Sequence, residues 1–275
     1  MIGQTERILE LKNLSNNQNE TVGNKIIAFT SGKGGTGKTF LSINIAYSLA
    51  ELGKKILFVD LDSNLSNANI MLNIVAEKTI YDFYTEKKLL KDIITKVNPN
   101  LHFIFGDSGK LNYPDAHENL ISKLYNQIIF LQNSYDFVFF DTGSGAGRSI
   151  INVLLKAEKV VIVTSPEPTA VMDSYVMLKL LSASEYKGEK FVIVNKSFGE
   201  NDKQSTFNNL SNASEHFLKK SISYLGGVKF DGIASKSIIE QELVVKKYPE
   251  SEITRQIRVI GSSIIEFTHM ANILH

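Results

Sequence analysis

The chain is 275 residues long and 43% hydrophobic, with 30 basic against 29 acidic side chains, a formal charge of +1 and no cysteine. That length and apolar content build one substantial core, and the neutral balance gives no electrostatic case for an acidic partner or for nucleic acid, which is not expected as a ligand. Without thiolates there is neither a cysteine-ligated iron–sulfur cluster nor a cysteine-rich zinc site, and without a secretory apolar region or a membrane-length run the protein is expected in the cytoplasm.

Residues 1–14 read as a short amphipathic helix, with Ile8, Leu11 and Leu14 on one face and Glu6, Arg7, Glu10 and Lys12 around it. This helix is a candidate partner-binding element. Residues 15–24, opening with Ser15-Asn16-Asn17-Gln18-Asn19-Glu20, carry no apolar periodicity and read as a flexible linker. The domain proper is expected over 25–275. Strand-like runs fall at 26–30, 55–60, 101–105, 137–141, 160–164, 191–195 and 223–230. Helix-like segments lie near 37–52, 115–132, 148–156, 168–182, 203–220, 236–246 and 252–272. The strands are near-continuous apolar runs rather than alternating ones, which is the pattern of a sheet covered on both faces. The expected fold is α/β: a single doubly wound, mostly parallel sheet with helices on both sides.

The first strand runs into Ser31-Gly32-Lys33-Gly34-Gly35-Thr36-Gly37-Lys38-Thr39, which fits the phosphate-loop pattern G-x-x-x-x-G-K-[ST] on Gly32, Gly37, Lys38 and Thr39. Glycines let backbone N–H groups turn inward around phosphate oxygens, and the following helix adds its positive end. Lys38 reaches the β- and γ-phosphates, and the Thr39 hydroxyl can ligate Mg²⁺. The candidate nucleotide-binding residues are therefore Gly32, Lys33, Gly34, Gly35, Thr36, Gly37, Lys38 and Thr39. The pattern itself asks for no cation at Lys33, which taken alone reads equally as a solvated loop charge.

Asp60 closes the second strand, and Leu61-Asp62 follow it. Two carboxylates at the carboxyl end of a strand beside a phosphate loop lie where open α/β sheets bind ligands; the plainer alternative is a pair of solvated strand-end acids. Phe137-Val138-Phe139-Phe140-Asp141 has the Walker-B form, four apolar residues ending in an acid, and makes Asp141 a candidate to hold Mg²⁺ through water. The Thr142-Gly143-Ser144-Gly145-Ala146-Gly147 that follows is a candidate switch loop. Asn195 ends a later strand and, by itself, is an ordinary strand exit before Lys196. The last helix carries Ile257, Ile260, Ile264, Phe267 and Leu274 in one stripe, without the cations a membrane-surface helix needs on its polar face, and reads as a core-packing helix.

With Lys33 added to that loop, residues 25 to about 270 resemble the deviant-Walker family of dimerising ATPases that includes MinD, ParA and FlhG. The resemblance implies that Lys33 crosses the dimer interface to the partner's nucleotide. It also implies that Asp62 orients the attacking water, that Asp60 helps organise the magnesium shell, and that Asn195 bonds the adenine edge, favouring ATP. Catalysis would then rest on Lys33, Lys38 and Asp62, with Thr39, Asp60 and Asp141 around the metal. Four segments resemble FlhG more than MinD or ParA: Gly106-Asp107-Ser108-Gly109, Asp141-Thr142-Gly143-Ser144-Gly145, Thr164-Ser165-Pro166-Glu167-Pro168-Thr169-Ala170 with Asp173-Ser174-Tyr175, and Gln4-Thr5-Glu6-Arg7-Ile8-Leu9. FlhG proteins restrict flagellar number and placement, and an N-terminal Asp-Gln-Ala-x-x-Leu-Arg helix in them stimulates the flagellar GTPase FlhF.

The departures fall outside the nucleotide machinery. Gly3, Thr5, Ile8 and Leu9 replace the Asp, Ala, Leu and Arg of that helix. After Asp62, Asn64-Leu65-Ser66-Asn67-Ala68-Asn69 lacks the glycine and the last acid of the family's Gly-Leu-x-Asn-x-Asp, and no basic anchor helix precedes His275. The expectation is an ATP- and Mg²⁺-dependent homodimer that hydrolyses ATP slowly, stimulated by the dimer or a partner, and regulates flagellar number or placement. Its implied partners are FlhF or flagellar switch components, through which it would reach the inner membrane surface. A MinD-like division-site regulator and a weakly or non-hydrolysing nucleotide-dependent scaffold stay open as alternatives, with ParA-type DNA partitioning behind them.

Overall fold

The computed structural model describes residues 25–62, 66–109 and 118–273. The expected helix over 1–14, the linker over 15–24, Asn64 and Leu65 of the altered loop, the first residues of the helix near 115–132, and Leu274 lie outside them. The chain alternates β1 (Ile26–Ser31), α1 (Lys38–Glu51), β2 (Ile56–Leu61), the short α2 (Ala68–Met71) and α3 (Ile80–Tyr84), then β3 (Thr95–Asn98), β4 (Leu101–Ile104) and α4 (Glu118–Leu131). It continues through β5 (Phe137–Ser144), α5 (Arg148–Leu154), β6 (Lys159–Thr164), α6 (Pro168–Ala183), β7 (Glu189–Ser197), α7 (Glu200–Ala213) and β8 (Ser223–Lys229), and closes with α8 (Gly232–Ile239), α9 (Val244–Lys247) and α10 (Glu252–Ile273).

The strands form one sheet in the order β3-β4-β2-β5-β1-β6-β7-β8. Every neighbouring pair is parallel except β3 with β4, so the expected doubly wound architecture is the observed one. Successive side chains of a strand face opposite sides of the sheet, and both sides here are covered. Ile26 and Ala28 of β1 join Ile121, Leu124 and Ile128 of α4, Leu178 and Leu181 of α6 and Leu210 of α7 in one apolar layer. Ile27 and Phe29 join Leu41, Ile45 and Leu49 of α1, Val244 and Val245 of α9, and Ile257, Ile260 and Ile264 of α10 in the other. A polar residue in mid-strand would be buried whichever way it pointed, which is why the strands read as unbroken apolar runs. The stripe on α10 is spent in this second layer, against α1 and β8.

Three elements differ locally from the expected ones. β3, absent from the predicted elements, is an edge strand: Thr95, Lys96 and Asn98 keep it polar, and among the described residues it pairs only with β4. The Asn98 side chain accepts hydrogen bonds from the backbone N–H groups of Asn100 and Leu101, which closes the hairpin. The single helix expected over 236–246 is two, because Gln241 takes a left-handed φ of 54° between α8 and α9. The helix expected over 203–220 begins at Glu200 and ends in a π turn at Ser214–Leu218. Among the described residues no helix is long and apolar enough to cross a membrane.

Candidate functional site

The carboxyl ends of β1, β2 and β5, the three central strands, converge on the N-terminus of α1. Gly37 caps that helix at φ 87°, a left-handed conformation costly for any residue with a Cβ. A Cβ there would also lie 2.3 Å from Asn195 Nδ2. Asn195, at the end of β7, donates from Nδ2 to the Thr36 carbonyl at 2.7 Å, and Lys196 Nζ donates to the Gly35 carbonyl at 2.7 Å. The β7 exit therefore holds the loop from one side. On the other, Gly32 packs so tightly on α6 that an added Cβ would fall 2.3 Å from the Asp173 carbonyl carbon. Gly34 and Gly35 stand exposed at the loop's tip.

Below the loop lies a buried polar cluster. Lys38 Nζ lies 2.9 Å from Asp141 Oδ2, and both side chains are almost wholly enclosed. Thr39 Oγ1 donates to the same oxygen at 2.6 Å, and Ser42 Oγ donates to Asp141 Oδ1 at 2.9 Å. Asp60 is the cross-strand neighbour of Asp141 in the β2–β5 register. Burial first, and then the charge of Asp141, push the Asp60 carboxyl up to about 7. Asp62 is raised as well, chiefly by burial, while Lys38 pulls it back. Its carboxylate borders the end of β5, where the next loop begins, 3.2 Å from where a Cβ on Gly143 would sit. The Gly145 N–H donates to the Ser31 carbonyl at 2.9 Å, so that loop is tied to the phosphate loop.

The residues present fit a nucleotide phosphate chain with Mg²⁺. Thr36 Oγ1 and Thr30 Oγ1 are the buried side-chain polar atoms without a hydrogen-bond partner among the described residues, and Thr36 sits inside the loop. A buried hydroxyl left unpaired costs free energy that a ligand oxygen would recover. The Thr39 hydroxyl and the Asp141 carboxylate are hard oxygen donors. They are too few to cage a cation by themselves, which matches the habit of Mg²⁺ of using one or two carboxylates together with substrate phosphates. A divalent charge beside Asp60 would also favour its ionised form.

Of the predicted site residues, the loop, Lys38, Thr39, Asp60, Asp62, Asp141 and Asn195 are brought together. Lys33 is directed elsewhere, with Nζ 2.6 Å from Glu167 Oε2 and 3.0 Å from Thr169 Oγ1 at the start of α6. Sequence reasoning missed Ser42 and Ser66. Ser42 could have been found, since three residues beyond Thr39 it shares that residue's face of α1. Ser66, whose hydroxyl donates to Asp60 at 2.5 Å, lies in a segment with no periodicity to announce it.

The AAA domain family model matches residues 24–190 of the chain. The antiactivator FleN of Pseudomonas aeruginosa is 26% identical over 252 residues, covering 90% of this chain and 89% of its own. The flagellum site-determining protein YlxH of Helicobacter pylori is 31% identical over 271 residues, covering 96% and 91%. The septum site-determining protein MinD of Pyrococcus horikoshii, solved with Mg-ADP, superposes with a TM-score of 0.73 at 23% identity, covering 90% of this chain and 98% of that one.

Proposed function

The chain belongs to the AAA domain family and, within it, to the FlhG group of MinD/ParA-like ATPases, and on that footing we propose how its site works as a nucleotide-dependent dimerisation switch. It is a MinD/ParA-type ATPase that regulates flagellar number. The observation that carries the reading is the enclosed Lys38–Asp141–Thr39–Ser42 cluster directly beneath a glycine-rich helix N-terminus. The loop N–H groups and the α1 dipole receive the phosphates of ATP, and Lys38 carries the countercharge. Mg²⁺, when bound, neutralises charge developing on the phosphates. Thr39 and Asp141 hold it, with Asp60 behind them, and Asp62 orients the attacking water. Asn195 reads the adenine edge. Lys33 leaves Glu167 to reach the nucleotide of a second copy, so that ATP joins two chains and slow hydrolysis, quickened by the dimer or a partner, releases them.

The enzymatic test is Asp62→Ala. ATP binding should persist while phosphate release falls about a hundredfold, and light scattering should find a lasting ATP-bound dimer. A monomeric variant that hydrolyses ATP normally would overturn the role given to Asp62. The cellular test is deletion of the gene and counting of flagella and minicells. Extra or misplaced flagella with normal division are expected, restored by the wild type and not by Lys38→Ala; minicells with normal flagella would favour the division-site reading.

A further inference from the structure

Three segments meet at Asp60. The Asp60 carboxylate accepts the Asp62 N–H on Oδ1 at 3.0 Å and the Ser66 hydroxyl on Oδ2 at 2.5 Å. With one donor on each oxygen, the carboxyl group cannot turn about its Cβ–Cγ bond without losing a hydrogen bond. Ser66 is itself fixed by backbone. Its carbonyl accepts from Ser108 Oγ at 2.8 Å, and its N–H donates to the Asp107 carbonyl at 3.4 Å. Gly106 completes the contact: a Cβ there would lie 2.8 Å from Ser66 Cβ and 3.2 Å from Asp60 Cγ.

The same turn is joined to a helix. Asp107 Oδ1 accepts the Ser108 N–H at 2.8 Å, and its Oδ2 accepts the hydroxyl of Thr79, the N-cap of α3, at 2.7 Å. The Ile80 N–H donates to the Phe105 carbonyl at 2.8 Å. Beyond α3, Lys123 of α4 pairs with Glu86 at 2.6 Å and lies 5.5 Å from the centre of the Phe83 ring. Hydrogen bonds therefore link Asp60 through Ser66 and Asp107 to Thr79 at the start of α3, and Lys123 of α4 packs against the far end of that helix.

We propose that Ser66 is a positioning residue for Asp60, and that through Asp107 and Thr79 it couples the metal end of the nucleotide site to the start of α3. The inference rests on the nucleotide-site reading above. Ser66 holds the carboxylate in the orientation a cation needs, and the Asp107 side chain links that turn to Thr79. A change at Asp60 on Mg·ATP binding moves Ser66, and with it the turn that caps α3. This is coupling through a shared set of hydrogen bonds, rather than through distance.

The test is calorimetric titration of the full chain with ATP at graded Mg²⁺ and with ATP in EDTA, together with hydrogen exchange of amides 79–85. Ser66→Ala should raise the Mg²⁺ concentration for half-maximal binding about tenfold, as loss of a hydrogen bond to a charged group implies. Its affinity for metal-free ATP should stay at the wild-type level, and the exchange response of α3 to Mg·ATP should vanish. Asp107→Ala should keep a Mg²⁺ dependence close to wild type and lose the α3 response, separating coupling from positioning. Should Ser66→Ala fail to fold, Ser66→Cys, a weak donor of similar size, takes its place. Equal weakening with and without Mg²⁺, or an α3 response that survives in both variants, would overturn the proposal. Wild-type protein that binds no ATP at all would instead overturn the nucleotide reading and carry this inference down with it.

Discussion

Lys33 Nζ lies 2.6 Å from Glu167 Oε2, so the extra lysine of the phosphate loop is bound within its own chain at the start of α6. The pair is exposed, and the hydrogen bond from Lys33, followed by its charge, holds the Glu167 carboxyl below its ordinary range. In the proposed dimer Lys33 serves the other copy's nucleotide, and Glu167 then competes with that role. Glu167→Ala should tighten ATP-dependent dimerisation by about twofold to fivefold at low salt, with the gain fading at high salt as screening weakens the competing pair. Sedimentation at two ionic strengths measures it. A weaker dimer would make Glu167 a contributor to the interface instead of a competitor.

Lys38→Met removes the one cation paired with Asp141 among the described residues; the Asp141 side chain is completely buried. Breaking a buried ion pair from one side costs about 3 kcal/mol, because the remaining charge must be neutralised or left unpaired. Thr39 and Ser42 still donate to Asp141, so the chain should fold. A lowered urea midpoint with an unchanged slope, accompanied by loss of ATP binding, is the expected outcome.

Gly32→Ala tests the packing of α6 on the loop. The new Cβ would fall 2.3 Å from the Asp173 carbonyl carbon, and backbone cannot swing aside as a flexible side chain can. The substitution should cost about 1–3 kcal/mol by overpacking and weaken ATP binding through displacement of the loop. A variant with wild-type melting and affinity would show that α6 retreats freely.

In the nucleotide-free protein Asp60 should contribute a pH dependence opposite in sign to the usual acid-denaturation trend. Asp60 titrates at about 7 when folded, against its ordinary 3.8, so the folded state keeps a proton that the unfolded chain has already lost. Stability contributed by this group is then highest at low pH and falls as pH rises through the interval between about 4 and 7, levelling off above it. The difference in urea stability between wild type and Asp60→Asn, followed from pH 5 to 8, isolates that slope. A difference that does not vary with pH would place the Asp60 titration outside this window.

The chain by itself determined the sheet, most of its helices and the phosphate loop, because each is written in near neighbours. Apolar runs such as Phe137-Val138-Phe139-Phe140 specify strands buried on both faces, and the glycine and lysine spacing from Gly32 to Thr39 specifies a turn whose backbone must curl before a helix. β3 escaped because an edge strand buries too little to need an apolar pattern, and the break at Gln241 because nothing in its neighbourhood announces a left-handed residue. What only the tertiary structure decided is which distant groups share a dielectric. Strand order β2-β5-β1 sets Asp60 beside Asp141, α6 presents Glu167 to Lys33, and the turn after β4 brings Asp107 to Ser66 and Thr79. Local pattern records how each segment buries its own apolar surface; the charge and hydrogen-bond partners of the site follow from the order in which those segments pack.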